Sequence, residues 1–459
     1  MNKYKNILRE ADIRGIYPDE VDGVFAKKLG YVFADYLKKH KQTFCVVGHD
    51  NRFGGPELSK NLIEGLIYSG INVVYIGLVT TPMLNYASHK LNIEYGVMVT
   101  ASHNPTNYNG FKLFGKNYLH CSHQDLDFIY AKLLSERYKC KEAEKHGYID
   151  QIDIDLSYAK YVANSVDIGN RNLKCVIDCG NGTASTIIKR IYDRLPFEVT
   201  YIYSDSNPNF PFHHPDPNVK INLRDLCKKV VEVKADVGLA YDGDADRIGI
   251  VDNKGQIVDA DVMMSTIVKS IIKKDPSKAV LVDVKCSDVI RDAIEDAGGV
   301  YKETPSSSAR QEDIMFYDDL YFGGQYANHI FFRDNDHPGY DDGIYAGLRY
   351  QEMLSHTNKK LHQIVKPLLS KYYHTDEIKI HTTDEKKWKI VEGIKEYAET
   401  RNYRFEEIDG IKVLKDKSWA LVRASNTGPD ITMRFEATSK KGLTMIQREF
   451  MDVIGIVSK

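Results

Sequence analysis

Thr43-Phe44-Cys45-Val46-Val47-Gly48 is a run of β-branched and aromatic residues that reads as a strand. Behind it, residues 56–68 carry Leu58, Leu62, Ile63 and Leu66 near a three-to-four spacing, the stripe of an amphipathic helix. Residues 72–77 (NVVYIG) and 95–100 (YGVMVT) read as further strands. Strands separated by helix-period stretches predict a mostly parallel sheet with helices on its faces.

Outward from this stretch the layout recurs. Residues 173–178 (LKCVID) read as a strand before the Gly-rich turn CGNGTAS, with further strands at 199–203 and 237–241. A third round runs through 279–284 (AVLVDV), 299–303 and 321–322. Past Pro367 the pattern changes: short strands at 377–381, 411–414 and 420–424 surround one clear helix at 385–400, an α+β arrangement. The expected fold is α/β, with three tandem mixed α/β units and a C-terminal α+β domain. Loops near Asp150, Asn253 to Gly255 and Pro367 set the expected domains at 1–150, 151–254, 255–367 and 368–459.

The 459 residues exceed one ordinary core, since domains average roughly 150 residues. A formal charge of -2 argues against a nucleic-acid partner, which would call for a basic face or arm. Recognition of an anion must then come from a few placed groups. Seven cysteines, an odd number without a CxxC pair, read as reduced thiols of a cytoplasmic protein. The start, MNKYKNILREADIRG, has no apolar core of a secretory signal. No apolar stretch reaches the about 18 residues of a membrane span. No obligate protein partner is legible.

Three loops carry chemistry. The first, Thr100-Ala101-Ser102-His103-Asn104-Pro105, ends a strand and precedes Tyr108-Asn109-Gly110-Phe111-Lys112. A serine at the carboxyl end of a parallel strand sits where α/β sheets bind ligands. His103 and Asn104 can brace that loop, and Lys112 can stabilise charge on a transferring group. The second, Asp242-Gly243-Asp244-Ala245-Asp246-Arg247, sets three carboxylates at alternate positions of a tight turn. They would repel each other without a counter-ion, and such hard oxygen ligands suit Mg²⁺. The third, Arg423-Ala424-Ser425-Asn426-Thr427-Gly428-Pro429, gathers a guanidinium, two hydroxyls and an amide, the parts of a phosphate cradle.

Together these loops resemble the α-D-phosphohexomutase family, of the bacterial phosphomannomutase/phosphoglucomutase type. The resemblance extends to Asp12-Ile13-Arg14-Gly15, to Phe210 through Pro217 (FPFHHPDP) and to Asp283-Val284-Lys285-Cys286. It implies four domains around a central cleft and a serine, Ser102, that is phosphorylated in the resting enzyme. It implies Mg²⁺ held by Asp242, Asp244, Asp246 and the phosphoserine at Ser102. Arg14, Lys112, Arg247, Lys285 and His329 would surround the reacting groups, and Arg423, Ser425, Asn426 and Thr427 would clamp the substrate's other phosphate. The implied reaction interconverts a sugar 1-phosphate and a sugar 6-phosphate through a sugar 1,6-bisphosphate, which also acts as activator. Lys112, Arg14 and His329 are the candidates for moving the hydroxyl proton.

The sequence departs from the family where sugar hydroxyls are read. The usual Gly-Glu-Met-Ser-Gly-His is here Gly324-Gln325-Tyr326-Ala327-Asn328-His329. Gln325 lacks charge and Ala327 offers no side-chain bond. The usual Gly-His pair of the third unit is replaced by Thr304-Pro305-Ser306-Ser307-Ser308, and the usual Tyr near the start by Ala11. Lost hydrogen bonds to a hydroxyl change selection strongly. The reaction type is therefore expected to hold while the sugar is open, a non-standard sugar phosphate included. Two other readings compete: a phosphosugar-binding protein without turnover, and a phosphatase whose nucleophile is one of the three aspartates.

Overall fold

Phe44–His49 lies inside a six-stranded sheet ordered Ile13–Ile16, Tyr108–Phe114, Gly96–Val99, Phe44–His49, Asn72–Leu78, Ile149–Gln151. A computed structural model of the chain describes residues 4–273, 275–425 and 428–457. Two compact units are present: Met1–Val258 with Ala327–Leu361, and Asp259–Tyr326 with His362–Lys459.

In the first unit, Phe44–His49 pairs in parallel with Asn72–Leu78 and Gly96–Val99, as the alternation of strand and helix predicts. Tyr108–Phe114 turns back antiparallel to Gly96–Val99 and pairs antiparallel with Ile13–Ile16. These two strands lie outside the sequence expectation, and they make the sheet mixed. Helices Gly23–Lys39 and Gly55–Tyr68 cross closely, because Gly30 and Gly65 bring backbone to backbone. A Cβ on Gly30 would stand 2.3 Å from the Leu62 carbonyl, and one on Gly65 2.4 Å from that of Lys27. Phe25, Leu29, Phe33, Leu58, Leu62 and Leu66 fill the core beneath them.

A five-stranded sheet follows, ordered Ile257–Val258, Ile248–Asp252, Val237–Tyr241, Lys174–Asp178, Glu198–Ile202. Val237–Tyr241 and Ile248–Asp252 form an antiparallel hairpin in which Tyr241 faces Ile248. The aspartate loop is the turn of that hairpin. Helix Gly343–Ser355 packs on these strands, and a Cβ on Gly347 would stand 2.9 Å from Ile248 Cδ1. This contact places residues 327–361 with the first unit, so the expected third domain contributes to both units.

In the second unit, Ala279–Asp283 pairs in parallel with Val300–Thr304 and with Phe322–Gly324. The C-terminal sheet is antiparallel, with Asp430–Ala437 flanked by Ser418–Ala424, Tyr373–His374 and Ile378–His381. Two helices cover it, Asp384–Thr400 and Lys440–Val457, where the sequence reading names one. Ile446, Phe450, Val453 and Ile454 bury the second helix against Ile394, Val413, Val422 and Phe435. Trp419 and Leu421 pack on Val284, which ties this sheet to the parallel one inside the unit.

Candidate active site

Ser102 lies three residues beyond strand Gly96–Val99, at the carboxyl end of a parallel strand. Its backbone is left-handed, with φ +49°. That conformation costs about 1–3 kcal/mol for a residue with a Cβ and persists only where the surroundings enforce it. Ser102 N donates to Thr100 Oγ1 at 2.8 Å, and Ser102 Oγ donates to Asp242 Oδ2 at 2.9 Å. The hydroxyl is thus buried directly against the aspartate loop.

His103 and Asn104 take part in the hydrogen bonds of the loop. His103 Nδ1 lies 3.2 Å from Ser102 Oγ, and its carbonyl is bonded by His214 Nε2. Burial, with Arg247 and Arg14 close by, holds the His103 imidazole well below its ordinary range. Asn104 Oδ1 accepts from Arg14 Nη1 at 2.7 Å, while Arg14 Nε donates to Asp12 Oδ2 at 2.8 Å. His213 bonds Asp178 Oδ2 at 3.1 Å, a structural role in keeping with its loop.

Asp242, Asp244 and Asp246 are all buried, with one oxygen of each within 4.8 Å of the others. Lys112, reaching in from strand Tyr108–Phe114, donates to Asp244 Oδ2 at 2.7 Å and to Asp246 Oδ2. Burial and its two neighbours push the Asp242 carboxyl well above the carboxylate range. Burial would raise Asp244 and Asp246 too, but Lys112 outweighs it and both are lowered. Burial alone would lower the Lys112 ammonium, yet the two carboxylates push it up.

The donor set fits a divalent cation. Asp244 Oδ1 and Asp246 Oδ1 are buried without a hydrogen-bond partner among the described residues. A buried, unsatisfied carboxylate oxygen is costly, and a hard cation with oxygen ligands satisfies it. A second group, Asp246, His329 and Asp341, also converges. There His329 Nδ1 bonds Asp341 Oδ2 at 2.6 Å, and Arg247 Nε donates to His329 Nε2 at 2.8 Å. Nδ1 therefore carries the proton and Nε2 is the accepting nitrogen.

The second unit holds Lys285, Gln325, Arg423 and Ser425. Lys285 Nζ lies 3.1 Å from Glu377 Oε2. Burial would raise Glu377, but Lys285 wins and holds it low. Gln325 is buried, and its Nε2 has no partner among the described residues. Tyr326 lies under the Arg434 guanidinium, 4.1 Å from ring centre to Cζ. Arg423 Nε stands 2.9 Å from Asp409 Oδ2, which also accepts from Ser306 N at 2.9 Å. Lys387 donates to the Ser425 carbonyl at 2.9 Å. Asn426 and Thr427 lie outside the described residues. Ala327 falls at the start of the first unit's second segment.

The first unit therefore brings together Ser102, the three aspartates, Lys112, Arg14, Arg247, His329, His103 and Asn104. Sequence reasoning missed Thr81, which donates to Asp244 Oδ2 at 2.6 Å, and Asp341 beside His329. It also missed Arg52 under the serine loop and Lys387, Glu377 and Asp409 in the second unit. Each meets its partner across long sequence separations, so no local spacing announces them.

The chain is similar to known proteins along nearly its whole length. Profiles for the phosphoglucomutase/phosphomannomutase alpha/beta/alpha domains I, II and III match residues 5–139, 156–255 and 259–372. The profile for the C-terminal domain matches residues 377–453. A phosphomannomutase/phosphoglucomutase of Pseudomonas syringae is 36% identical over 97% of this chain and 94% of its own. A phosphoglucomutase of Neisseria gonorrhoeae is 32% identical over 98% and 97%. The crystal structure of a phosphoglucomutase/phosphomannomutase family protein from Burkholderia thailandensis superposes with a TM-score of 0.90 at 28% identity, covering 98% of this chain and 97% of that one. With all four domain profiles matched in order and full-length relatives above 30% identity, the chain belongs to the phosphoglucomutase/phosphomannomutase family.

Proposed function

We propose that this chain is a phosphosugar mutase that interconverts a sugar 1-phosphate and its 6-phosphate through a phosphorylated Ser102. The single observation that carries the reading is the buried contact of Ser102 Oγ with Asp242 inside the aspartate trio. Four domains at 1–150, 151–254, 255–367 and 368–459 would share the work. The cytoplasm suits seven cysteines that all carry free thiols. No helix among the described residues is long and apolar enough to cross a membrane.

Mg²⁺, held by Asp242, Asp244, Asp246 and an oxygen on Ser102, would neutralise charge on the transferring phosphoryl group. The chain's own residues do the rest. Phospho-Ser102 loses its phosphoryl group as the P–Oγ bond breaks and a bond forms to the free sugar hydroxyl. The hydroxyl proton passes to His329 Nε2 once the Arg247 guanidinium turns from that nitrogen to the phosphoryl oxygens, since Lys112 and Arg14 present only donors to their carboxylate and amide neighbours. Asp341 keeps the imidazole in the accepting tautomer. The resulting bisphosphorylated sugar reorients, and its other phosphoryl group returns to Ser102 Oγ with the proton restored to the sugar oxygen. Arg423, Ser425, Asn426 and Thr427 take the non-reacting phosphate, a task that charge and hydrogen bonds perform from either end of the sugar. Lys285 and Gln325 contact the sugar phosphate, and Gln325 brings an amide donor where relatives of this type carry a carboxylate. That difference, with Ala327, points to a sugar other than mannose or glucose.

Intact-mass analysis tests the reading. Purified protein should carry one phosphate, and Ser102→Ala should lose both the phosphate and mutase activity. An unmodified Ser102→Ala protein with full activity would remove it. A phosphorylated protein that turns over no sugar 1-phosphate, even when primed with a bisphosphate, would favour a binding protein instead.

A further inference from the structure

The loop from Asp50 to Gly54 joins strand Phe44–His49 to helix Gly55–Tyr68. Its Arg52 side chain is buried and aims under the Ser102 loop. Nη2 donates to the Ser102 and Asn104 carbonyls, each at 2.5 Å. Nη1 donates to the Pro105 carbonyl at 2.8 Å and the Tyr108 carbonyl at 3.1 Å. One guanidinium thus holds four carbonyls spread over seven residues. Its neighbour Asp50 closes a second circuit. Asp50 Oδ1 accepts from Arg52 N at 2.9 Å, and Oδ2 accepts from Thr100 Oγ1 at 2.5 Å. Thr100 Oγ1 in turn accepts from Ser102 N.

The aspartate loop leaves the serine loop no slack. A Cβ on Gly243 would stand 2.4 Å from the Ser102 carbonyl oxygen. That oxygen is therefore gripped between Gly243 and the Arg52 fork. Ser102 needs such a grip, because its left-handed backbone relaxes unless neighbours enforce it. A planar fork of donors suits this task, whereas an ammonium is a point charge on a flexible stem.

We propose that Arg52 is a positioning residue that fixes the left-handed Ser102 loop, and so the direction of its Oγ toward the aspartate trio. The inference rests on the reading of Ser102 as the phosphorylated nucleophile. Arg52 touches no reacting atom, so it acts on transfer and not on capture of the sugar. Its loss should lower kcat and leave KM alone.

The test uses the full chain with Arg52→Lys, which keeps the charge and loses the fork. A second variant, Asp50→Asn/Arg52→Gln, avoids leaving a buried carboxylate unpaired. Three readouts are taken: phosphoserine occupancy by intact mass, the phosphorus NMR shift of that phosphoserine, and kcat with KM on the best sugar 1-phosphate found. Wild type should carry the phosphate; its absence would overturn the nucleophile reading itself and this inference with it. Given a phosphorylated wild type, a folded Arg52→Lys should lose about 100-fold in kcat, as for a reacting group misplaced by roughly 1 Å. KM should stay within about threefold, and the phosphoserine resonance should move. Wild-type kcat with an unmoved resonance would overturn the inference while leaving the nucleophile intact. Failure of both variants to fold would also overturn it, making Arg52 a residue of general stability.

Discussion

Both units hold cations on resident carboxylates, but among the described residues only the first gathers them around a buried hydroxyl and an aspartate trio. In the first, Ser102, three aspartates, Lys112, Arg14, Arg247 and His329 already bond one another, and Lys112, Arg14 and Arg247 each have a carboxylate, amide or imidazole to face. In the second, the groups expected to meet phosphate are matched with resident carboxylates, Lys285 with Glu377 and Arg423 with Asp409. The first arrangement is preorganised for charge that develops during reaction, where fixed partners have the most effect. The second holds its cations in place with anions that a phosphate, in the proposed reading, would displace. Changes in the first unit should therefore strike kcat, and changes in the second should strike KM.

The largest effect is expected at the aspartate trio. Asp244→Asn should lower kcat by about 10³-fold, near 4 kcal/mol, as for loss of one fixed electrostatic partner. Chelation of divalent cations should silence wild type, and added Mg²⁺ should restore it; an unchanged rate after chelation would break the comparison. Next is a pH effect confined to the second unit. Burial pushes the Glu436 carboxyl up to about 7, against the bonds from Ser287 and the Asp288 amide that favour its charge. A folded pKa above the unfolded one means that stability is fully present below about pH 4.5 and is lost as pH rises through 7, by roughly 3 kcal/mol. Melting of wild type and Glu436→Gln between pH 5 and 8 should show a slope that is steeper in wild type by that contribution.

A smaller effect belongs to the phosphate cradle. Arg423→Met should raise KM about 30-fold, near 2 kcal/mol for a lost charged hydrogen bond, with kcat little changed. A fall in kcat with constant KM would reverse the assignment of the two units. Smallest is Gln325→Glu, which should shift preference among sugar 1-phosphates by about tenfold toward mannose and glucose. Equal turnover of all sugars by wild type would remove the role given to Gln325 and Ala327.

Much of this was legible in the sequence, for reasons that residues make plain. Runs such as LKCVID and VGLAY announce buried strands, and an aspartate triplet between two of them makes a poor surface turn. Both readings depend on short-range patterns. Strand Tyr108–Phe114 was less legible, because Asn109 and Gly110 disfavour strand and only pairing with both neighbours recruits them. Helix Lys440–Val457 has a regular stripe, yet its two glycines obscure it. Arg52, Thr81, Asp341 and Asp409 could not be found this way, since their roles exist only once distant segments meet. The division of residues 255–367 between two units was equally hidden, since it depends on helix Gly343–Ser355 packing on the hairpin of Val237–Tyr241 and Ile248–Asp252.

One experiment speaks most directly to Ser102 and the aspartate trio acting as a single device. Protein carrying a labelled phosphoryl group on Ser102 is mixed with excess unlabelled sugar 1-phosphate and quenched on a millisecond scale. Label should leave the protein and appear first in a bisphosphorylated sugar, in wild type but not in Asp244→Asn. Label that stays on the protein while product accumulates, or that departs only as inorganic phosphate, would contradict the account.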